Sequence, residues 1–370
     1  MNRDILAVIL MSVLSFSGGL AQNQSVSDSG QKVILITLDG LRWQELYSGA
    51  ADSLLQNKAF TKNAEALIDS FYADEPHEAR RKLMPWFWTT LAEEGQLYGN
   101  RWVGNEANCK NRFWFSYPGY NEILSGTTDT EINSNDKVPN PNKTVLEFVK
   151  EQLNLGPKEV AAFASWNVFP YIINEDRSGI PVNAGFGPSV DEPLSDKEEF
   201  LNEMQGLVPS PWSTVRLDAF THGYMMEFLK KNHPRLVYIG YGETDDFGHD
   251  GRYDHYLHSA RRTDAFIADL WSYLQSDPYY KNQTTLIITT DHGRGHNPME
   301  QWTSHGRIYK GSHEIWIAAI GNLIPAKGMV NQPMVLFQDQ IAASVAHCFG
   351  LTFSSSRLPT GPVIKQLFEP

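Results

Sequence analysis

The stretch TLIITTDHG, residues 285–293, joins a run of apolar and β-branched residues directly to a polar cluster. Thr285–Thr290 lacks the alternation of a half-exposed strand, so it predicts a strand that is covered on both faces. Asp291 and His292 follow the run with no turn residue between. We therefore expect two polar side chains at the end of a buried strand.

Further apolar runs of the same kind lie along the chain. They are Val33–Leu38, Val160–Ala164, Leu236–Tyr241 and Ile315–Ile320. Stretches with helical spacing separate them: Thr144–Leu153, Arg216–Lys231, Tyr253–Leu274 and, near the end, Gln338–Phe349. Strands that alternate with helices predict an α/β fold with a doubly wound, mainly parallel sheet and helices on both faces. In such a fold, ligands bind beyond the carboxyl ends of the strands.

The domain organisation predicted is a single catalytic domain over residues 22–370 with two insertions. Residues 50–81 are polar and fit the alternation poorly. Residues 166–212 are rich in Pro, Gly, Asn and acidic residues and predict a long excursion over one end of the sheet. Excursions of this length are often functional lids.

The first 21 residues are typical of a secretory signal peptide. Arg3 precedes an apolar run from Ile5 to Phe16, and Gly19 and Ala21 are small residues where a signal peptidase would cut. The run is shorter than the roughly 20 apolar residues of a membrane span, although an uncleaved anchor is an alternative. We expect a secreted or periplasmic protein with no transmembrane span in the mature chain.

The formal net charge of -12 restricts the partners. It argues against nucleic-acid backbone binding, which needs clustered Lys and Arg. An anionic substrate would need local positive charge, and metal ions would supply it. Export would permit a disulfide between Cys109 and Cys348, but the sequence does not place them close together.

Carboxylates and imidazoles follow three of the predicted strands. Asp39 ends the first, Asp245 and His249 follow Leu236–Tyr241 with helical i, i+4 spacing, and Asp291 and His292 end the stretch quoted above. Each alone could be a turn residue or a surface histidine. Together, at the strand ends, they are the natural ligands of zinc and similar ions.

Ser116 adds a reactive hydroxyl. It precedes Tyr117 and Pro118, and a proline there fits the first turn of a helix. Ser116 could therefore be only the N-cap of that helix. Alternatively it is a nucleophile, which a metal ion would activate and a helix N-terminus would help to present to an anion. No Gly-x-Ser-x-Gly motif surrounds it.

In their chain order, these motifs resemble those of the alkaline phosphatase superfamily, and most closely its type I phosphodiesterase/nucleotide pyrophosphatase branch. The matching motifs are Asp39, the Ser116 segment, Asp245-x-x-x-His249 and Asp291-His292-Gly293, within Val33–Leu351. The branch usually has Thr where this chain has Ser116. The resemblance implies two divalent metal ions, which the mixture of His and Asp favours as zinc.

The resemblance also implies the ligand sets. One ion would be bound by Asp39, Ser116, Asp291 and His292, and the other by Asp245, His249 and a third histidine. Three histidines are candidates for that position, namely His296, His305 and His313. His305 matches the His-Gly form of the family ligand and is preferred, with His313 second.

An asparagine that binds a substrate oxygen recurs in the family about twenty residues after the nucleophile. Asn135 fits best, Asn133 is close behind, and either could be a turn residue. Asn108 and Arg112 are further candidates for substrate contact. Formylglycine sulfatases need an arginine where this chain has Tyr120, which argues against that class.

The function predicted is an exported two-metal hydrolase of small-molecule phosphate esters, of the phosphodiesterase type, with a phosphoseryl intermediate on Ser116. A phosphomonoesterase or a sulfate-ester hydrolase could use the same site. A phosphoglycerate mutase would lack its cytoplasmic substrate after export. A secreted binding protein without activity is the remaining alternative, and the complete ligand set argues against it.

Overall fold

A central sheet of eight strands organises the computed structural model, which describes residues 30–370. The strands are β1 Lys32–Leu38, β2 Gln96–Tyr98, β3 Asn105–Asn108, β4 Val160–Ala164, β5 Val182–Ala184, β6 Leu236–Tyr241, β7 Thr284–Thr289, β8 Glu314–Ile315, β9 Ile317–Gly321, β10 Gly328–Met329 and β11 Met334–Phe337. The large sheet has the order β10-β2-β9-β7-β1-β6-β4-β5, and a small sheet has the order β11-β3-β8.

The large sheet is mainly parallel. Strand β1 pairs in parallel with β6 on one side and with β7 on the other. Strand β4 is parallel to both β6 and β5, and β9 alone is antiparallel to its neighbours β7 and β2. The carboxyl ends of β7, β1 and β6 therefore lie side by side at one edge.

Helices cover both faces of the sheet. They are α1 Trp43–Ser48, α2 Asp52–Leu55, α3 Ala64–Phe71, α4 Pro76–Leu83, α5 Ala92–Glu94, α6 Ser116–Ser125, α7 Val145–Gln152, α8 Phe169–Ile173, α9 Glu175–Ser178, α10 Asp196–Leu207, α11 Asp218–Asn232, α12 Glu243–His249, α13 Tyr253–Ser276 and α14 Gln340–Cys348. A π-helix spans Phe87–Leu91, and short 3-10 helices span Arg101–Val103, Met299–Thr303 and Lys365–Leu367.

Strand β1 shows why both faces are apolar. Val33 and Leu35 pack in the core that includes α6, α7 and α14, whereas Ile34 and Ile36 pack in the core beneath α11 and α13. Successive side chains of a strand point to opposite faces, so a strand without polar alternation needs cover on both sides. The predicted doubly wound α/β architecture is confirmed.

The single strand predicted over Ile315–Ile320 was wrong in one respect. The chain switches sheets at Trp316, so Ile315 ends β8 in the small sheet and Ile317 begins β9 in the large one. The Trp316 indole is fully buried and donates a 2.9 Å hydrogen bond to the carbonyl of Leu41. A hydrophobicity pattern does not reveal this switch, because all the residues involved are buried.

Residues 50–81 form α2, α3 and most of α4, which pack over the same face as α1 and α13. Residues 166–212 hold α8, α9 and α10, but they also supply β5, the edge strand beside β4. The excursion therefore returns to the sheet within its length.

The predicted signal peptide, residues 1–21, lies outside the described residues. Among residues 30–370, no helix combines the length and the apolar character that crossing a bilayer requires.

Candidate active site

The predicted site residues lie at the carboxyl ends of three adjacent strands. Asp39 follows β1 directly, Asp291 and His292 come just after β7, and Asp245 lies in α12, which begins after β6. Because β1 lies between β6 and β7, the three carboxylates meet at the carboxyl ends of these three central strands. All three are buried.

The His292 ring lies at the centre of these carboxylates. Its Nε2 atom lies 3.4 Å from Asp39 Oδ1, 3.4 Å from Asp291 Oδ2 and 3.9 Å from Asp245 Oδ1. Its Nδ1 atom lies 2.9 Å from the carbonyl of Gly293, to which it donates. With a cation bound, the ring would be neutral, and this orientation would turn the lone pair of Nε2 toward the carboxylates, as in a metal ligand.

Two further histidines extend the cluster from Asp245. His305 Nε2 lies 3.7 Å from Asp245 Oδ1, and His249 Nε2 lies 3.2 Å from Asp245 Oδ2. The two imidazole Nε2 atoms are 2.9 Å apart. His305 Nδ1 lies 3.3 Å from the carbonyl of Trp114, which fixes the orientation of the ring.

Two overlapping groups in this cluster fit a metal ion. The ligand atoms of Asp39, Asp291 and His292 lie within 4.8 Å of one another, and so do those of Asp245, His292 and His305. Asp39 Oδ1 and Asp291 Oδ2 are buried and form no hydrogen bond among the described residues, although His292 Nε2 lies 3.4 Å from each. Buried oxygens without partners are costly unless a cation neutralises them. The donor set and these orphaned oxygens therefore fit the predicted ions.

Burial and mutual repulsion set the pKa values of the carboxylates. Burial, together with the charge of Asp245, raises the pKa of Asp39, and burial with the charge of Asp39 raises that of Asp291 well above its ordinary range. Burial also opposes ionisation of Asp245, but Arg294 and His249 hold its pKa well below the ordinary value. Burial lowers the pKa of His292, yet Asp291 and the other carboxylates raise it to about 9. Without a cation, the site therefore favours bound protons.

Ser116 lies at the edge of this cluster. It is the first residue of α6, and its Oγ lies 3.4 Å from His292 Nε2. The N-cap position is occupied by Phe115, so the alternative that Ser116 merely caps the helix does not apply. The hydroxyl is therefore presented to the carboxylate and imidazole groups rather than to the helix backbone.

A buried carboxylate shapes the loop in front of Ser116. Glu122 accepts backbone hydrogen bonds from Lys110 at 2.8 Å and from Asn111 at 2.7 Å. The Asn111 side chain in turn accepts from the backbone N–H of Trp114 at 3.0 Å, and Trp114 adopts a positive φ of 55°. The loop thus fixes both Ser116 and the carbonyl to which His305 is bound.

Asn135 lies beside the start of the same helix. Its Oδ1 accepts a 3.0 Å hydrogen bond from the backbone N–H of Tyr117, and its side chain is exposed. Asn133 is also exposed and donates to the carbonyl of Thr130 at 3.4 Å. Of the two candidates, Asn135 lies next to the residue that follows Ser116.

Other candidates lie outside the cluster. His296 Nε2 faces Glu314 at 3.7 Å, and His313 packs against the ring of Trp114. Asn108 accepts from Arg101 at 2.9 Å, and the guanidinium of Arg112 lies over the ring of Phe113. Cys109 and Cys348 are buried free thiols, so they form no disulfide with each other.

Two residues in direct contact with the cluster were not predicted. The Tyr120 hydroxyl donates a 2.7 Å hydrogen bond to Asp39 Oδ2, and Arg294 contacts Asp245 Oδ1. Both are within a few residues of a predicted ligand, and Arg294 continues the Asp291-His292-Gly293 motif. Their closeness in sequence to a predicted ligand was the available signal. The carboxylates that they contact, Asp39 and Asp245, come from distant parts of the chain.

Tyr120→Phe is expected to lower the affinity for the predicted ion at Asp39 by roughly 10- to 100-fold, because outer hydrogen bonds orient a ligating carboxylate. The ring should stay in place, since it packs 4.7 Å from Phe169. Zinc affinity, measured by competition with a coloured chelator, checks this expectation. Tyr72→Phe, which removes an exposed bond to Asp74, is the matched control. Equal affinities in the two variants would contradict the role of Tyr120.

Comparisons with known proteins identify the family and the fold of the chain. The family model for type I phosphodiesterase/nucleotide pyrophosphatase matches residues 59–327. A 2,3-bisphosphoglycerate-independent phosphoglycerate mutase from Gracilaria tenuistipitata var. liui is 31% identical over 103 residues, which are 26% of this chain and 19% of that protein. The chain thus matches about a fifth of the length of this curated relative.

Solved structures share the fold at low sequence identity. The lipoteichoic acid synthase LtaP from Listeria monocytogenes superimposes with a TM-score of 0.58 at 9% identity, over 94% of this chain and 78% of that one. The alkaline phosphatase PafA gives 0.58 at 10%, over 92% and 99%. The phosphonate monoester hydrolase of Agrobacterium radiobacter gives 0.55 at 12%, over 92% and 78%. With the family match spanning most of its length, this chain belongs to the type I phosphodiesterase/nucleotide pyrophosphatase family, within the alkaline phosphatase superfamily.

Proposed function

We propose that the chain is a two-metal hydrolase of small-molecule phosphate esters, of the phosphodiesterase or pyrophosphatase type, with Ser116 as nucleophile. One observation carries the proposal: Ser116 Oγ lies 3.4 Å from His292 Nε2, beside buried carboxylate oxygens that have no hydrogen-bond partner among the described residues. Family membership supports hydrolysis of phosphate or sulfate esters in general.

In this proposal, the residues of the cluster divide between two ions. Asp39, Ser116, Asp291 and His292 would hold one, and Asp245, His249 and His305 would hold the other. Mixed carboxylate and imidazole ligands favour zinc. When bound, the ions would supply Lewis-acid stabilisation of the phosphoryl oxygens and lower the pKa of the serine hydroxyl.

The residues of the chain would perform a two-step displacement. Ser116 Oγ loses its proton to solvent and attacks phosphorus, so that a bond from Oγ to phosphorus forms while the bond to the leaving oxygen breaks. The alcohol or phosphate leaving group takes up a proton. Water then attacks the phosphoseryl group, and Ser116 departs as the restored hydroxyl. The N-terminus of α6 faces the developing negative charge, and Asn135 would donate its amide N–H to a phosphoryl oxygen.

Several features bear on the alternatives. Tyr120, where a formylglycine sulfatase needs arginine, donates to Asp39 and is fully buried, so it is part of this site's own framework. A phosphomonoesterase would keep every residue of the cluster and differ only around the leaving group. The full set of ligand side chains opposes a binding protein without activity. Export through residues 1–21 to the periplasm or the medium remains part of the proposal.

Chromogenic nitrophenyl esters test the proposal. We expect the kcat/KM for a phosphodiester to exceed those for the phosphate monoester, the phosphonate and the sulfate by about tenfold or more, which corresponds to about 1.4 kcal/mol in the barrier. Chelation should abolish turnover, and zinc should restore it. A monoester or sulfate preference would replace the diester assignment, and the absence of turnover on all four with zinc present would favour the binding protein.

A further inference from the structure

Arg294 places a fixed positive charge inside the candidate site. Its side chain is fully buried, and its Nη1 atom contacts Asp245 Oδ1. Arginine is rarely buried to this extent unless its donors are matched. A buried guanidinium cannot reach substrate in solvent, so any part it has in the reaction is indirect.

The remaining donors of Arg294 hold a different part of the chain. Nε donates to the carbonyl of Trp302 at 2.6 Å, and Nη2 donates to the carbonyl of Thr303 at 2.7 Å. The backbone N–H of Gly295 adds a 2.8 Å bond to the carbonyl of Ser304. The guanidinium therefore ties the segment that leads into His305 to the carboxylate of Asp245.

The same segment is anchored on its other side by Trp302. Its fully buried indole packs against the rings of Tyr253 at 5.1 Å and Tyr256 at 5.5 Å, both on α13. Arg294 therefore connects the segment that Trp302 anchors on α13 to α12, which carries Asp245 and His249. The direct contacts of His305 in the site are its 3.7 Å approach to Asp245 Oδ1, the 2.9 Å approach to His249 Nε2 and the 3.3 Å contact with the Trp114 carbonyl, so Arg294 adds a connection through the backbone of the segment that leads into His305.

Two glycines leave the space that the guanidinium fills. A Cβ added at Gly248 would lie 2.7 Å from Arg294 Cζ, and one added at Gly40 would lie 2.9 Å from Nη1. Such distances are too short for real contacts, and hydrogen bonds to two carbonyls hold the guanidinium in place. The pocket for Arg294 is therefore built from three separate parts of the chain: the turn after β1, the helix α12 and the loop after β7.

We propose that Arg294 is a positioning residue that assembles Asp245, His249 and His305 as the ligands of one metal ion. The Arg294 guanidinium contacts Asp245 Oδ1 and leaves Oδ2 facing His249. Its hydrogen bonds to the carbonyls of Trp302 and Thr303 set the position of His305. This inference rests on the two-metal function proposed above. A lysine would keep the charge but could not supply three donors in one plane.

Zinc titration of the metal-free protein, with a coloured chelator as competitor and no substrate, tests the inference. Wild type should bind two zinc ions per chain. In Arg294→Lys, one of the two should bind at least tenfold more weakly while the other keeps its wild-type affinity. His305→Ala should weaken the same ion, and the double variant should add little to His305→Ala. A role in folding alone would leave both affinities unchanged or lower both together.

Gly248→Ala provides a second route should Arg294→Lys fail to fold. It keeps the charge and displaces the guanidinium, so it should weaken the same ion selectively. Gly206→Ala is its matched control, because Gly206 is also helical and a Cβ there meets nothing within 4 Å. Equal weakening of both ions, or no change, in Gly248→Ala would overturn the role of Arg294 and leave the two-metal function intact. If wild type bound no zinc, both proposals would fall.

Discussion

Ser116→Ala is expected to lower kcat on the best phosphodiester by roughly 10⁴- to 10⁶-fold, the size of effect seen when a covalent nucleophile is removed. The hydroxyl is buried at the start of α6, and its Oγ lies 3.4 Å from His292. Alanine removes the proposed attacking atom and leaves Asp39, Asp291 and His292 unchanged. Both metal ions should therefore still bind, which elemental analysis of the same sample checks.

The exposed Ser70 on α3 supplies a matched control, since Ser70→Ala removes a hydroxyl that bonds the carbonyl of Ala66, far along the chain from the cluster. Its kcat should equal that of wild type. A second control is the melting temperature of Ser116→Ala in zinc, which should stay near the wild-type value. Near-wild-type turnover by Ser116→Ala on every ester that is hydrolysed would show that Ser116 is not the nucleophile.

Asp291→Asn is expected to have the next largest effect. Asp291 Oδ1 accepts from the backbone N–H of Gly40 at 3.1 Å, a bond that asparagine can keep. The orphaned Oδ2 becomes a neutral amide nitrogen, which cannot ligate a cation in this position. We expect the loss of about one zinc ion per chain and a fall in kcat/KM of roughly 10³-fold, because a metal contributes several kcal/mol to the transition state.

The stability of metal-free Asp291→Asn separates this effect from misfolding. In the absence of a cation, burial and the charge of Asp39 oppose ionisation of Asp291 and raise its pKa, so a neutral side chain at this position should leave the metal-free chain at least as stable as wild type. Denaturant unfolding in the presence of a chelator measures this. Asp52→Asn, at an exposed position of helix α2, controls for the substitution itself and should change neither zinc content nor kcat/KM. Full zinc content in Asp291→Asn would contradict its assignment as a ligand.

The order of the fold was accessible from sequence because its strands are buried on both faces. Runs such as Val160–Ala164 and Leu236–Tyr241 coincide with β4 and β6, since a continuous apolar run of this length is typical of a strand that is buried on both faces. The edge strand β5 could not be predicted in the same way. Its residues Val182–Ala184 are only partly buried and lie among polar and proline residues, so their pattern is that of a loop.

The candidate site was predictable to the extent that it follows strand ends. Asp39, Asp245 and Asp291 needed only the rule that ligands gather at the carboxyl ends of parallel strands. The choice among His296, His305 and His313 depends on the path of the loop after β7, which is held by hydrogen bonds from Arg294 to backbone carbonyls. No local pattern encodes such contacts.

The most direct test of the account is the zinc content of the wild-type chain after complete metal removal and stepwise return of zinc. We predict that about two zinc ions bind per chain and that diester hydrolysis rises from zero in step with them. Turnover that persists in the metal-free chain, or a chain that stays below one zinc ion at saturating zinc, would contradict a two-metal hydrolase built on Asp39, Asp245 and Asp291.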